Sequence, residues 1–295
     1  MTALLTGVKS RLFLRTHLAA THPLDGAHAS LQRARSLEFE DLRDYEVGDD
    51  VRDIDWKATA RHGDLLVKRS RATRMHPLQL AVETGRGMAA IAPDDHPKRA
   101  LAIQAVGTLG LLGMRAGDEV SVLLAHSAGA MRLPGTRSEG GLEHALRTID
   151  RASTPDAPPS SRSALLDAVR RTVTGRRILV VVTDEAPITD QDERMIRRLA
   201  AQHDLLWLTV RDADPASPQK TRRARLDVTT GWQVPDYLAG DADVVREIRE
   251  ERARGDHHRT TLLDSLSIDH AELSAEATVV PSLLGMLRRR SLVHR

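Results

Sequence analysis

Two short runs of almost uninterrupted aliphatic residues do most to limit what this chain can fold into. They are residues 78–82 (LQLAV) and 178–182 (ILVVV). Runs of this length and composition are typical of strands that are covered on both faces of a parallel sheet. Segments with helical spacing of apolar residues alternate with such runs along most of the chain. The alternation predicts an α/β fold with a doubly wound, mostly parallel sheet, in which residues 178–182 form a central strand.

The other elements follow from the same periodicities. We predict an amphipathic N-terminal helix over residues 2–20. The His22-Pro23 pair that follows is expected to stop it. Further helices are predicted over residues 97–116, 139–152, 164–173, 191–202, 241–254 and 280–290. Further strands are predicted over residues 65–67, 120–125, 205–210 and 268–273, with residues 130–133 as an edge strand. Three glycines within the helix at 97–116 are expected to let it lie close against the sheet.

Composition limits the class of protein. Hydrophobic residues make up 41% of the 295-residue chain, which is enough for a sizeable core. The formal charge is only +2, so neither nucleic acid nor an anionic membrane is predicted as the main partner. The chain has no cysteine, which excludes disulfides and a thiol nucleophile. It also has no apolar run long enough for an integral membrane segment, and we expect a cytoplasmic protein.

One segment, residues 37–69, concentrates residue types that are rare elsewhere. Three of the seven aromatic residues of the chain, Phe39, Tyr45 and Trp56, fall inside it. Between Glu38 and Lys57 there are nine acidic residues against three basic ones, and the bases that follow reverse the sign. This density of charge is unsuitable for a core strand. It favours a folded loop in which carboxylates and guanidiniums pair around buried rings, so we predict that Trp56 is buried. A solvated acidic face is the alternative.

The spacing within this segment resembles a known family. The residues that carry the resemblance are Gly26-x-His28-x-Ser30, Leu37-Glu38-Phe39-x-Asp41-Leu42-Arg43-x-Tyr45, Gly48-Asp49-Asp50-Val51-Arg52-x-Ile54-Asp55-Trp56, Ala60-Arg61 and Val67-Lys68. Together they resemble the signature of the family called "domain of unknown function 58", and the pattern of strands and helices resembles that family to the C-terminus. We name residues 37–69 the signature segment.

The resemblance implies a fold, a division of the chain and a partner. It implies a von Willebrand factor type A-like α/β domain over residues 76–295, with the N-terminal helix and signature segment of residues 1–75 packed on it. Members of the family typically accompany MoxR-type AAA+ ATPases, so it implies a non-enzymatic adaptor or partner of such an ATPase. The candidate protein-binding residues are those of the signature: Glu38, Asp41, Arg43, Tyr45, Gly48, Asp49, Asp50, Arg52, Asp55, Trp56, Arg61 and Lys68.

A fold of this type would also imply a divalent cation beyond the carboxyl ends of its strands, held by an Asp-x-Ser-x-Ser pattern, a threonine and an aspartate. Here Glu83 replaces the first aspartate, and Gly85 and Gly87 replace both serines. Arg86 adds a positive charge beside the site, and Asp184 remains as a candidate ligand, with Ser161 or Ser163 in a third loop. Because Mg²⁺ needs several oxygen ligands in octahedral array, we expect no metal and no other cofactor.

Recognised catalytic patterns are absent from the sequence. It contains neither a nucleotide-binding glycine fingerprint nor a Gly-x-Ser-x-Gly nucleophile, and no His-Glu-x-x-His. Asp53 and Asp55 leave open a metal-dependent hydrolase acting on phosphodiesters, although no histidine or lysine completes a site. A purely structural subunit of a larger complex is the other alternative.

Overall fold

The computed structural model of the 295-residue chain describes residues 3–17, 41–45, 56–69, 77–215, 225–231, 233–234 and 241–293. The strands are β1 Asp41–Asp44, β2 Leu66–Arg69, β3 Leu78–Glu83, β4 Val120–His126, β5 Gly129–Arg132, β6 Ile178–Asp184, β7 Asp204–Val210, β8 Arg225–Leu226, β9 Gln233–Val234 and β10 Asp269–Leu273. The α-helices are α1 Leu4–His17, α2 Trp56–His62, α3 Lys98–Arg115, α4 Glu139–Ala152, α5 Arg162–Thr172, α6 Asp190–Gln202, α7 Ala242–Ser265 and α8 Val279–Val293.

Six strands form the central sheet, in the order β10-β7-β6-β3-β4-β5. All neighbouring strands are parallel except β4 and β5, which are antiparallel. Strand β5 is the last in the order and is therefore the predicted edge strand. The two aliphatic runs, β3 and β6, lie side by side in the middle, with Leu80 opposite Val180. Every residue of β3 is buried. The predicted α/β fold class with a mostly parallel sheet is therefore confirmed.

Helices cover both faces of the sheet. One core contains apolar residues of α1, α3, α4 and α8. The other contains residues of α5, α6 and α7. Side chains of the central strands alternate between the two cores, with Val180 in the first and Val181 in the second. This alternation is what a strand buried on both faces requires, because successive side chains point to opposite sides.

Only one of the three glycines of α3 lies against the sheet, as we expected for all three. A Cβ at Gly113 would lie 2.8 Å from Leu78 of the sheet. At Gly107 it would lie 2.9 Å from Val8 of α1, and at Gly110 2.8 Å from Leu142 of α4. Two of the three glycines thus allow neighbouring helices, and not the sheet, to approach α3.

The described part of the signature segment is a small ribbon with a short helix. Residues 41–44 form β1, which pairs antiparallel with β2, so the prediction of a loop at these positions is wrong. A two-stranded ribbon satisfies its backbone groups without a buried face, which is why a highly charged sequence can form it. The helix α2 is joined to the ribbon by a hydrogen bond of 3.0 Å from the Leu66 amide to the Thr59 hydroxyl.

The prediction that Trp56 is buried is also wrong. Trp56 is the first residue of the seven-residue α2, and 63% of it is exposed. A helix of two turns buries only the side of it that meets the ribbon, and its first residue lies outside that contact. The buried tryptophan among the described residues is Trp207 on β7, which is fully enclosed.

Within the residues that the structure describes, no helix combines the length and the apolar content that crossing a membrane would require.

Candidate functional site

The candidate site lies where β3 and β6 end. These two parallel strands are neighbours, and the strand order runs outward from them in opposite directions, through β4 to one side and β7 to the other. Ligands of doubly wound sheets bind beyond the carboxyl ends at such a switch point. Glu83 ends β3 and Asp184 ends β6, so the predicted pair of carboxylates does come together. We call this region the carboxyl edge.

Glu83 is enclosed at the carboxyl edge, with 2% of its surface exposed. One of its oxygens, Oε2, accepts a hydrogen bond of 2.5 Å from the Thr183 hydroxyl and one of 3.2 Å from the Asp184 backbone amide. Burial raises the pKa of Glu83 to about 7, and the charge of Asp184 adds to the rise. The positive charge of Arg162 and the two hydrogen bonds oppose it. Glu83 therefore titrates close to neutral pH, well above the range of an ordinary carboxyl group.

Arg162 places its guanidinium between the two strand ends. It is the first residue of α5, and Ser161 caps that helix by accepting a hydrogen bond from the Ala164 amide. The guanidinium Nε donates to the Thr183 hydroxyl at 3.0 Å, and Nη2 donates to Asp184 Oδ1 at 3.2 Å.

The rest of the guanidinium is also satisfied. Backbone carbonyls of the loop after β6 accept from it, Ala186 at 2.6 Å and Pro187 at 3.1 Å. With 6% of Arg162 exposed, this cation is part of the interior.

A second buried cation, Lys98, approaches from the other side. Its ammonium donates to both oxygens of Asp212, at 2.8 and 2.9 Å, and lies 3.9 Å from Asp184 Oδ2. Only 1% of Lys98 is exposed. Burial raises the pKa of Asp212, against the lowering effect of Lys98. Each carboxylate oxygen of Asp184 thus faces a cation of the chain itself, Arg162 or Lys98.

The ion pairs continue from Glu185 toward α7. Glu185 Oε1 accepts from Arg252 at 2.6 Å, and its Oε2 lies 2.8 Å from Arg211 Nε. Burial raises the pKa of Glu185, while the two arginines lower it. Arg211 and Arg259 both contact Asp256 at 2.5 Å. These contacts fasten the long helix α7 to the ends of β6 and β7.

The carboxyl edge does not fit the divalent cation that the fold type implies. The Arg162 guanidinium already binds Thr183 and Asp184. The missing hydroxyls have no room either, because a Cβ at Gly85 would lie 2.5 Å from the Pro158 carbonyl, and one at Gly87 2.7 Å from Ser160 Oγ. Gly85 also has a φ of +104°, which side chains rarely adopt. Over the described ranges, no cluster of three or more potential ligands could hold a metal.

The third loop is used for structure. Ser161 caps α5, and the Ser163 hydroxyl donates to Asp192 Oδ1 at 2.6 Å. Asp192 in turn completes the capping box of α6 with Thr189. The two serines proposed as cation ligands therefore stabilise the starts of two helices.

The signature residues lie away from the carboxyl edge in the chain and are only partly described. Asp41, Arg43 and Lys68 are strand residues of the ribbon, and Tyr45 donates its backbone amide to the Leu65 carbonyl at 2.8 Å. Trp56 and Arg61 are exposed on α2. Glu38, Gly48, Asp49, Asp50, Arg52 and Asp55, together with Asp53 of the hydrolase alternative, lie outside the described residues.

Arg162 and Lys98 were not identified from the sequence. Each is one basic residue among 43, at the start of a helix whose apolar pattern begins further along. The only sequence signal for Arg162 was its position near the end of the proline- and serine-rich stretch at residues 154–163. A charge there, at the carboxyl edge of the sheet, is a candidate partner for Asp184.

The fold and the carboxyl edge together define a class of protein. It is a doubly wound α/β domain in which an arginine of the chain, Arg162, lies between the ends of two neighbouring central strands. The chain belongs to the family described as "Protein of unknown function DUF58", which matches residues 41–258. This confirms the resemblance drawn from the signature segment.

Curated relatives come from mycobacteria. The proteins named Uncharacterized protein Rv1480 from Mycobacterium tuberculosis and Uncharacterized protein Mb1516 from Mycobacterium bovis are each 32% identical over 193 residues. The match covers 64% of this chain and 59% of each relative. The chain thus spans less than two thirds of the length of these relatives.

Solved structures show weaker likenesses. An aerotolerance-related membrane protein from Bacteroides fragilis, with multiple mutations to serines, is 16% identical, with 72% of this chain and 98% of that chain covered and a TM-score of 0.44. A von Willebrand factor type A structure from Catenulispora acidiphila is 11% identical, with 74% and 43% covered and a TM-score of 0.41. At these TM-scores neither likeness says what this chain binds.

Proposed function

We propose that this chain is a non-enzymatic protein-interaction module and the partner of a MoxR-type AAA+ ATPase. The observation that carries the proposal is the state of the carboxyl edge, where a doubly wound domain would hold a substrate or a metal. Here that place is filled by the ion pairs of Arg162 and Lys98 with Asp184.

A catalytic group needs a free face toward its substrate, and among the described residues of this edge Glu83, Lys98 and Arg162 are all buried. Burial raises the pKa of Glu83 to about 7, yet Glu83 is enclosed and its Oε2 accepts two hydrogen bonds from β6. Asp184 is held by Arg162, and Lys98 is sealed beneath the surface. Buried ion pairs with satisfied partners fix positions, and they do not perform acid–base chemistry.

The same contacts favour a rigid surface for another protein. They join the starts of α3 and α5 and the middle of α7 to the ends of the central strands. Loops held in this way lose little conformational entropy when a partner binds, which improves affinity. The identity of the partner rests on the family signature, because members of this family typically accompany MoxR-type ATPases.

The test is co-expression of the tagged chain with a MoxR-type ATPase from the same genome. We expect a complex that survives size-exclusion chromatography, with or without a non-hydrolysable ATP analogue, and no complex with an AAA+ ATPase of another class. A parallel assay of phosphodiester hydrolysis with Mg²⁺ or Mn²⁺ addresses the hydrolase alternative, with Asp184→Asn as the control.

Three outcomes would overturn the proposal. Hydrolysis that Asp184→Asn abolishes would identify an enzyme. A complex of equal strength with both ATPases would remove the specificity. Failure to bind the MoxR-type ATPase in any nucleotide state would leave the structural-subunit alternative in its place.

A further inference from the structure

The guanidinium of Arg162 is surrounded by oxygen atoms that accept hydrogen bonds from it. Its Nε donates to the Thr183 hydroxyl at 3.0 Å, and its Nη1 donates to the Pro187 carbonyl at 3.1 Å. Its Nη2 has three acceptors, which are the Ala186 carbonyl at 2.6 Å and the Oδ1 and carbonyl oxygens of Asp184, both at 3.2 Å. Every nitrogen of the planar group therefore has its own acceptor. We call these five oxygen atoms the oxygen cage.

Neighbouring groups orient the oxygen cage toward the guanidinium. The Thr183 hydroxyl donates its proton to Glu83 Oε2 at 2.5 Å, so its lone pairs face the guanidinium. Asp184 Oδ1 also accepts from the Ala186 amide at 3.0 Å, which fixes this carboxylate against the loop after β6. A further negative charge lies just beyond the cage, since Asp192 Oδ2 is 3.7 Å from the guanidinium Nη1. The cage thus presents acceptors and negative charge to the group between them.

The width of the oxygen cage favours a guanidinium over a metal ion. An oxygen that accepts from one of these nitrogens lies roughly 3.5–4 Å from the central carbon of the group, because each C–N bond adds ~1.3 Å. Ca²⁺ needs its oxygens at about 2.3–2.6 Å, and Mg²⁺ needs them at about 2.0–2.1 Å. A single ion in the middle of the cage would therefore lie about 1 Å or more too far from its ligands. A planar group with donors on three sides spans this width.

We infer that the carboxyl edge contains a binding site for a guanidinium group, and that the side chain of Arg162 is its resident ligand. The site selects a planar cation with several donors, because the compact ammonium of a lysine reaches only some of the cage oxygens at once. It lies close to solvent, since Ala186 and Pro187, which supply two of the carbonyls, are exposed residues. A free alkylguanidinium can therefore enter when the Arg162 side chain is removed. The inference does not depend on the proposed function.

The test removes the resident ligand and supplies it from solution. Arg162→Gly keeps the oxygen cage and leaves the space of the missing side chain, and ethylguanidinium chloride is the probe. We expect saturable NMR shifts of the Ala186 and Ile188 amides in the isotopically labelled full chain, with a Kd on the order of 10 mM. At about 50 mM probe, the melting temperature of Arg162→Gly should rise by about 2–4 °C, because a ligand of the folded state stabilises it.

Three controls show whether the effect comes from the oxygen cage. The wild type already holds its ligand, so ethylguanidinium should not raise its melting temperature. Arg171→Gly removes an exposed arginine from the same helix, α5, and should show no rise either. Ethylammonium chloride at the same concentration carries the charge without the planar donors, and it should not stabilise Arg162→Gly.

A second variant tests the selectivity of the site without a probe. Arg162→Lys keeps a cation but loses the planar donors, so it should melt below the wild type. If Arg162→Gly is unfolded in buffer, ethylguanidinium should restore the circular dichroism spectrum of the folded chain. The inference would be overturned by any of three results: no binding or restoration by ethylguanidinium, an equal effect of ethylammonium or Ca²⁺ on Arg162→Gly, or a wild-type melting temperature for Arg162→Lys.

Discussion

Replacing the enclosed carboxyl group of Glu83 by an amide should remove a large pH dependence of stability. Burial is the main reason that its pKa rises from 4.5 to about 7 in the folded protein. In the unfolded chain this burial is absent, so the group has its ordinary pKa. Between these two values the folded protein holds a proton that the unfolded chain has released.

The direction and size of the effect follow from this difference. When the folded state binds more protons, stability decreases as pH rises. The contribution is fully present below about pH 4.5 and is lost as pH passes through about 7. A shift of this size corresponds to about 3 kcal/mol, since one pKa unit is equivalent to ~1.4 kcal/mol. The amide of Glu83→Gln can still accept the hydrogen bonds from Thr183 and Asp184, but it does not titrate.

The assay is urea denaturation of the wild type and Glu83→Gln at intervals from pH 4.5 to 8, followed by tryptophan fluorescence. The free energy of unfolding of Glu83→Gln minus that of the wild type should increase by about 3 kcal/mol from the lowest to the highest pH. A difference between the two proteins that does not depend on pH leaves this increase unchanged. Glu251→Gln, at an exposed position on α7, is the control and should follow the wild type. Parallel curves for the wild type and Glu83→Gln would refute the reasoning.

Four further predictions concern the carboxyl edge and the signature segment. Arg162→Gln should lower the free energy of unfolding by about 3–5 kcal/mol in urea denaturation, because it leaves Asp184 without its guanidinium; a loss below 1 kcal/mol would contradict this. Calorimetric titration of the wild type with Mg²⁺ should show no micromolar site, and a site that disappears in Asp184→Ala would prove the expectation wrong. Trp56→Ala should cost less than about 1 kcal/mol, since most of the side chain is exposed. A large fall in melting temperature would mean that the side chain is covered in solution. Asp49→Lys combined with Asp50→Lys should preserve the melting temperature and abolish co-purification with the ATPase at low and physiological salt, whereas retained binding would place the contact elsewhere.

The sheet could be predicted because the amino-acid composition of its strands shows that they are buried. The aliphatic runs of β3 and β6 can only be buried on both faces, and both are central. Helix α4 was predicted with its observed limits, because its apolar spacing and its cap at Ser138 agree. Helix α7 was predicted to end near residue 254 but continues to Ser265. Its apolar residues that reach the core, Leu262 and Leu263, come after a long charged half that showed no periodicity.

The candidate site was predictable only in part. That Glu83 and Asp184 meet follows from two neighbouring parallel strands ending at the same edge. That Arg162 lies between them depends on how α5 is placed over that edge, and a long side chain can reach many positions from one backbone site. The wrong prediction for Trp56 has a related cause. A high local density of charged and aromatic residues does not show whether a segment packs on the core or forms a separate two-stranded ribbon.

An arginine in the place of a cation changes what can control this edge. A bound metal ion exchanges with solvent, so its occupancy depends on ion concentration and on chelators. The Arg162 guanidinium is covalently attached to the chain and cannot exchange with solvent. Its contacts with Thr183 and Asp184 therefore persist whenever α5 is folded in place. A partner that binds beside this edge would meet a surface that ion levels do not alter. Control of such a complex must then come from the partner, and the nucleotide state of an ATPase is a source of control that fits this requirement.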